Sequence, residues 1–281
     1  LQSLEITLGE PIISFSFSSG GCINQGGRIQ TKANVYFLKW NDLKKFPKMF
    51  EAEAKGLALL ASAHAITVPS VVFSSSTTHY QYIVMEYIHS AARTSQYWEH
   101  FGRGLADVHQ VTAVNFGLDH DNYIGSLEQC NQQSESWLEF FIHNRLMLQL
   151  EKARNAGIAD MASCKKFEVL AKELVNLVNP ERPALLHGDL WSGNLIVDDA
   201  GLPCLIDPAV YFGNREVDLA MTTLFGGFDP KFLSAYHEVF PLQTGYKQRF
   251  EIYNLYPLLV HTNLFGKNYW LQVVSILNQF V

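Results

Sequence analysis

Between Leu185 and Pro208 the chain reads LLHGDLWSGNLIVDDAGLPCLIDP, and Asp189, Asn194 and Asp207 within it are of the types that hold a divalent cation and take a proton. Two apolar runs, Leu195-Ile196-Val197 and Cys204-Leu205-Ile206, flank Asp198 to Leu202, which predicts a β-hairpin turning near Ala200-Gly201. A symmetric turn sets Val197 opposite Cys204 and Asn194 opposite Asp207. Directly paired residues have Cβ atoms ~5 Å apart, close enough for an amide oxygen and a carboxylate to share one ion. Asp189 precedes the hairpin by one loop. Two acids and an amide at the open end of a hairpin suit metal-assisted phosphoryl transfer. Any one of these carboxylates alone reads as a solvated surface group; the ordered set does not.

The spacing of Asp189 and Asn194 fits a kinase catalytic loop, in which an Asp accepts the substrate hydroxyl proton and an Asn binds Mg²⁺. His187-Gly188-Asp189 stands in place of the protein-kinase HRD, and Asp207-Pro208-Ala209 in place of DFG. These replacements resemble the aminoglycoside-phosphotransferase branch of the kinase-like fold. Within it, HGDLWSGN at 187–194 followed by DPAVYFGNREVDLAMT, Asp207 to Thr222, is similar to the fructosamine kinase (ketosamine-3-kinase) family.

The elements that must position these groups begin upstream. Phe15 to Gly27, FSFSSGGCINQGG, and then Val35 to Trp40, VYFLKW, read as a strand, a flexible turn able to approach phosphates, and a return strand. Period-two alternation puts Val35, Phe37 and Lys39 on one face of that strand and Tyr36, Leu38 and Trp40 on the other. A Lys in an apolar strand needs an anion, or must reach along the surface to water. Lys48 to about Ser62 is rich in helix formers with apolar residues recurring on one side, so a helix follows. Pro69 to Phe73 and Tyr82 to Ile88 read as strands separated by SSSTTHYQ. Tyr97 to Val111 reads as a core helix, on which His109 is read as an ordinary core or surface histidine.

Phe116 to Ser134 is a polar loop rich in Asn, Gln and Gly. Such amides suit recognition of a neutral sugar, or else the loop simply caps the helices. Ser136 with Glu139 predicts a capping box opening a helix that ends at Gly157, and a second helix covers about Ala162 to Val178. Arg145 on the first is read as a structural anchor. Phe228 to Val281 reads as helical and aromatic.

The resemblance covers nearly the whole chain and implies an α+β, bilobal protein-kinase-like fold: a small N-terminal β-sheet lobe, 1–89, binding ATP, and a larger, mainly helical lobe, 90–281, carrying catalysis and substrate binding. It implies that Gly20 and Gly21 cover the ATP phosphates, that Lys39 steadies them with Glu53 as its partner and Glu51 as the alternative, and that Glu86, Tyr87 and Ile88 form the hinge beside adenine. Asp189 is the implied base, Asn194 and Asp207 the implied Mg²⁺ ligands, and Asp218 a brace for the catalytic loop. The implied acceptors are ketosamines, fructosamine or ribulosamine, free or on a glycated protein, phosphorylated at the 3-hydroxyl so that the adduct is destabilised. Asn214 departs from the family pattern, where YGHRE would place His. Another small-molecule kinase of the same fold, or a non-catalytic ATP-binding regulator, are the alternative readings. Trp191 in the catalytic loop could stack on a sugar or pack the loop.

The chain has 281 residues, a formal charge of −6, 48% hydrophobic and 17% charged residues, which argue for a folded enzyme-like body with no nucleic-acid partner. No apolar run spans a membrane and no basic-then-apolar leader opens the sequence, so a cytoplasmic protein is expected. Four cysteines, Cys22, Cys130, Cys164 and Cys204, form no CxxC pair and read as reduced thiols. Cys22 lies in the glycine-rich loop, where it is either a redox-sensitive thiol or a small loop residue.

Overall fold

The computed structural model describes residues 2–18 and 24–281. Helix α1 (Gln2–Leu8) is followed by strands β1 (Ile12–Phe17), β2 (Gln25–Thr31) and β3 (Val35–Asp42), helix α2 (Met49–Ala61), and strands β4 (Val71–Ser76) and β5 (Tyr80–Glu86). The five strands form an antiparallel sheet in the order β1-β2-β3-β5-β4. Alternation along β3 decides what each face meets. Tyr36, Leu38 and Trp40 pack with Tyr82, Val84 and Leu4 of α1, whereas Phe37 packs with Ile83, Met85 and the α2 residues Phe50 and Leu57. Lys39 shares the Phe37 face and is therefore aimed at α2.

Two strand boundaries differ from the sequence reading. The strand returning from β1 is β2, not the Val35 run, and its Gly26 and Gly27 hid it by lowering apparent strand propensity. Gly27 is required there, because a Cβ would strike the Phe15 ring and come 2.7 Å from Ser16 O. Ser74, Ser75 and Ser76 belong to β4, an edge strand whose polar residues face water, so the turn is shorter than SSSTTHYQ.

The remaining chain is mainly helical. Helix α3 (Tyr97–Val108) leads to a small hairpin of β6 (Asn122–Ile124) and β7 (Leu127–Gln129). A continuous helix then comprises α4 (Trp137–Phe140), a π-helical stretch from Phe141 to Met147, and α5 (Leu148–Asn155). Ser136 Oγ accepts the Glu139 N–H at 3.3 Å to open it, and Gly157 ends it at φ +70°. After α6 (Met161–Leu177) come β8 (Ala184–Leu186), the hairpin β9 (Leu195–Val197) and β10 (Pro203–Leu205), and β11 (Tyr211–Gly213), which pairs with β8. Helices α7 (Glu216–Thr222), α8 (Pro230–Val239), α9 (Tyr246–Phe265) and α10 (Lys267–Phe280) finish the fold.

Tyr97, Phe101, Phe140, Phe141, Phe167 and Tyr253 are buried in one core that reaches from α3 to α10. Each such side chain contributes roughly 1.5–3 kcal/mol relative to exposure, so this core fixes the platform under the β8–β11 segment. No helix among the described residues is long and apolar enough to cross a membrane. The α+β class and the order of a small sheet followed by helices are those expected from the sequence.

Candidate active site

Strand β8 is wholly buried and ends at Leu186, delivering His187, Gly188 and Asp189 to the edge of the helical core. Gly188 takes φ +83°, and a Cβ on it would collide with the carbonyl oxygen of Ala209. Asp218, in the first turn of α7, accepts the His187 N–H at 2.7 Å and the Gly188 N–H at 2.9 Å. The His187 ring bridges onward. Its Nε2 donates to Ile206 O at 3.0 Å, while Nδ1 accepts the Asp189 N–H at 3.2 Å. Burial lowers the His187 pKa, so the ring is neutral and this tautomer is fixed by its two partners.

Asn194 closes a short 3₁₀ turn, Ser192–Asn194, and its Nδ2 donates both to Asp189 O at 2.8 Å and to Asp189 Oδ2 at 3.0 Å. Burial pushes the Asp189 carboxyl up to about 7; the Asn194 amide opposes the shift, while the Asp207 and Asp218 charges add to it. The β9–β10 register corrects the sequence reading by one residue. Val197 pairs with Pro203, not Cys204, and Asn194 lies opposite Ile206, whose N–H donates to Asn194 O at 3.0 Å. The cause is an odd tip. Asp198 N–H bonds Leu202 O at 2.9 Å, and Asp198 Oδ1 accepts from Ala200 and Leu202, leaving a three-residue turn with Gly201 at φ +76°. The tip is tied to the segment before α3, with Ala91 N–H on Asp198 O and Thr94 N–H on Gly201 O at 3.0 and 3.1 Å.

Asp207 thus lies one position beyond the predicted pairing. It reaches the site by adopting φ +54° in front of Pro208, a conformation costing about 1–2 kcal/mol for a non-glycine residue. Its Oδ1 bonds Lys39 Nζ, and Lys39 also bonds Glu53 Oε1 at 2.7 Å. Burial disfavours the Lys39 ammonium, but the Asp207 and Glu53 charges outweigh it and hold the Lys39 pKa above its ordinary value. Glu53 itself is pushed upward by burial despite Lys39. Glu51 is elsewhere, paired with exposed Lys55 at 3.0 Å. Lys39, Glu53 and Asp207 thus form one bonded group and Asp189 and Asn194 another, close enough that the Asp207 charge acts on the Asp189 carboxyl.

At the end of β5 the Glu86 N–H donates to Ser70 O at 2.9 Å and the Tyr87 N–H to Val35 O at 3.4 Å. The Glu86 carboxylate accepts from Ser70 N at 3.3 Å. The Ile88 N–H has no partner among the described residues, so of these three it is the donor left to a ligand. Gly20, Gly21 and Cys22 lie outside the described residues.

A fructosamine kinase family model matches residues 2–281. The chain belongs to the fructosamine kinase family. It is 41% identical over 93% of its length to a probable ketoamine kinase of Enterococcus faecium, 93% of which is covered. It is 39% identical to a chloroplastic protein-ribulosamine 3-kinase of Arabidopsis thaliana, over 93% of this chain and 81% of that one. A crystal structure assigned as a fructosamine-3-kinase from Thermobifida fusca superposes with a TM-score of 0.90 at 31% identity, covering 99% of this chain and 96% of the other. A spectinomycin phosphotransferase, at 16% identity, 99% and 93% coverage and a TM-score of 0.62, shares the fold, which is bilobal and protein-kinase-like.

In this chain the polar loop is not free to meet a sugar through its amides. Asn122, Gln129 and Asn131 are 5%, 1% and 0% exposed, and their side chains bond one another and the main chain of Val210, Ala209 and His120. The capping alternative holds for these three. Arg145 is fully buried in the π-helical stretch, bonding Cys130 O at 2.5 Å and Asn131 Oδ1 at 2.7 Å and stacking 4.0 Å from the Tyr211 ring centroid. It is an anchor, as read from the sequence. Asn214 also turns inward, accepting the Glu216 N–H at 2.9 Å to start α7.

His109 is a satisfied core histidine, one of the two readings the sequence offered. It is completely buried, with Nδ1 2.8 Å from Tyr236 Oη and Nε2 3.3 Å from Oδ2 of Asp218, the residue that also holds the His187 and Gly188 main chain. The available signal was its position four residues after buried Leu105 on α3, since a histidine on an apolar stripe requires polar partners. Trp191 is 39% exposed, its ring lying over Gly193 and meeting Phe225 edge-on at 6.3 Å.

The donor chemistry of the site fits Mg²⁺. Among the described residues no group of three or more His, Cys, Asp or Glu could hold a metal. The site instead offers two side-chain oxygens without a hydrogen-bond partner among the described residues. The Asp207 side chain is 47% exposed with Oδ2 unused, and Asn194 Oδ1 accepts no hydrogen bond from a described residue. A hard cation that keeps water and phosphate ligands needs no more protein than that.

Proposed function

We propose that this chain transfers the γ-phosphoryl group of ATP to the 3-hydroxyl of a ribulosamine or fructosamine, free or on a glycated protein. The reading is carried by one observation: Asp189 and Asn194, hydrogen-bonded to each other, lie within electrostatic reach of the Lys39–Asp207 pair in a fructosamine kinase family member. In it, residues 1–89 form the nucleotide-binding lobe and 90–281 the lobe that presents the acceptor.

Asn194 Oδ1 and Asp207 would hold Mg²⁺, which when bound neutralises negative charge on the phosphoryl oxygens. Lys39, kept cationic by its two carboxylates, orients the phosphates, and Glu53 fixes Lys39 from the α2 side. Ile88 N–H addresses the base at the hinge, and Gly20 and Gly21 cover the phosphates. Asp189, held by Asn194, orients the acceptor hydroxyl and takes its proton. The open face of Trp191 gives a sugar ring a platform. Free thiols at Cys130, Cys164 and Cys204 support a reducing, cytoplasmic setting.

The test is Mg²⁺-dependent transfer from labelled ATP to synthetic ribulosamine and fructosamine, beside an aminoglycoside, with Asp189→Asn as control. Label on the ketosamines that disappears in the variant is the expected result. Label on the aminoglycoside alone would overturn the acceptor, and ATP binding with no transfer to any acceptor would make the chain a regulator.

A further inference from the structure

Asp207 occupies a backbone conformation that a non-glycine residue adopts only when its surroundings enforce it, and it precedes a proline, which restricts it further. What enforces it is visible two residues later. The Ala209 N–H donates to His187 O at 2.9 Å, in the catalytic loop, while the Ala209 carbonyl accepts from Gln129 Nε2 at 3.0 Å. The next carbonyl, of Val210, accepts from Asn122 Nδ2 at 2.8 Å. Two consecutive residues after Asp207-Pro208 are thereby gripped by their carbonyls from the β6–β7 hairpin, and the first of them, Ala209, is also bonded through its N–H to the loop that carries Asp189.

Neither amide is free to turn. Tyr256 Oη donates to Gln129 Oε1 at 2.6 Å, so Gln129 Nε2 must face Ala209. Asn122 Oδ1 accepts from Gln129 Nε2 at 2.8 Å and from Asn131 Nδ2 at 3.0 Å, so Asn122 Nδ2 must face Val210. Arg145, donating to Asn131 Oδ1 at 2.7 Å, completes the chain of orientation. A loop that only had to fill space would be served by apolar residues, without the desolvation cost of buried amides.

We propose that Gln129 and Asn122 are positioning residues for the acids of the active site: by clamping the Ala209 and Val210 carbonyls they hold Asp207 in its metal-binding conformation and in fixed relation to the catalytic loop. The inference rests on the reading of Asp207 and Asp189 given above. It makes the metal site preorganised, assembled before nucleotide arrives.

The test uses the whole chain and reads nucleotide binding, not turnover alone. AMP-PNP affinity is measured by calorimetry with and without Mg²⁺ for wild type, Gln129→Met and Tyr256→Phe. Gln129→Met keeps the side-chain length and removes both donors; Tyr256→Phe removes only the hydroxyl that orients Gln129. In Gln129→Met the metal-free affinity stays within about twofold of wild type, while the gain on adding Mg²⁺ falls about 10–100-fold, the usual effect of losing an outer-shell partner of a metal ligand. Tyr256→Phe moves the same way by less, and it decides the matter if Gln129→Met does not fold. A full Mg²⁺ gain in the folded variants, with only a lowered melting temperature, overturns the proposal and leaves the hairpin as packing. A wild type with no Mg²⁺ gain removes the metal site itself, and so separates failure of the functional reading from failure of the clamp.

Discussion

One nitrogen of Asn194 donates to two oxygens of Asp189, the main-chain carbonyl at 2.8 Å and Oδ2 at 3.0 Å. The amide is thereby fixed with Nδ2 toward Asp189 and Oδ1 away from it, so in the proposed mechanism a single side chain orients the base and faces the metal. Asn194→Asp replaces that donor with a second carboxylate against Asp189, a like-charge contact in a buried setting. Turnover at neutral pH should fall by about 10²-fold or more in steady-state kinetics. Turnover equal to wild type would show that the pair is not needed.

Asp189 supplies a pH signature. Burial raises its pKa from 3.8 to about 7, so between those values the folded chain holds a proton that the unfolded chain has released. Stability must therefore fall as pH rises through that window. In melting curves of metal-free protein, Asp189→Asn should lose this part of the decline and exceed wild type above neutrality, while transfer falls by roughly 10²–10⁴-fold. Parallel wild-type and variant curves would contradict the assignment.

Glu53 and Glu51 lie two residues apart on α2 and should behave oppositely. Glu53→Gln leaves Lys39 with one carboxylate, and the misplaced ammonium should cost about 10²-fold in kcat with a smaller change in the KM for ATP. Glu51→Gln breaks an exposed pair with Lys55, worth about 0–1 kcal/mol, and should leave kinetics unchanged. Equal losses would place Lys39 under other control.

Two left-handed glycines give a structural control. Gly157 has open space around its missing Cβ, so Gly157→Ala should cost about 1–2 kcal/mol in urea unfolding and spare activity. Gly188→Ala drives a Cβ into the Ala209 carbonyl and should exceed about 4 kcal/mol, with loss of transfer. A mild Gly188→Ala would mean the loop can move away from Ala209.

Much of the candidate site could be read from the chain because its residues fall in short local patterns. The face of Lys39 follows from alternation in β3, and Glu53 rather than Glu51 meets it because α2 packs Phe50 and Leu57 against the same sheet face. Where the reading failed, a local rule was overridden by a side chain acting on backbone. Asp198 closes an odd turn and moves the β9–β10 register by one, so Asp207 comes to the site through an unusual φ instead of a strand pair. Asn122 and Gln129 look like surface amides because nothing in a linear sequence shows that their partners, Val210 and Ala209, lie 80 or more residues further along the chain. His109 reads as a core or surface histidine, and its burial against Tyr236 and Asp218 agrees, though those partners are equally remote in sequence.

The hairpin tip at Asp198 to Leu202 has a consequence for how this chain can be altered. Asp and Gly between two short strands is ordinarily where an epitope tag or a protease site is tolerated. Here Asp198 is 7% exposed, Gly201 has no room for a Cβ beside Ala92 O, and the segment before α3 is sewn to both. A residue added at this tip should break the bonds to Ala91 and Thr94 and shift β9 against β10, and with it Asn194, so a lengthened loop is expected to lower transfer where most hairpin tips would tolerate it.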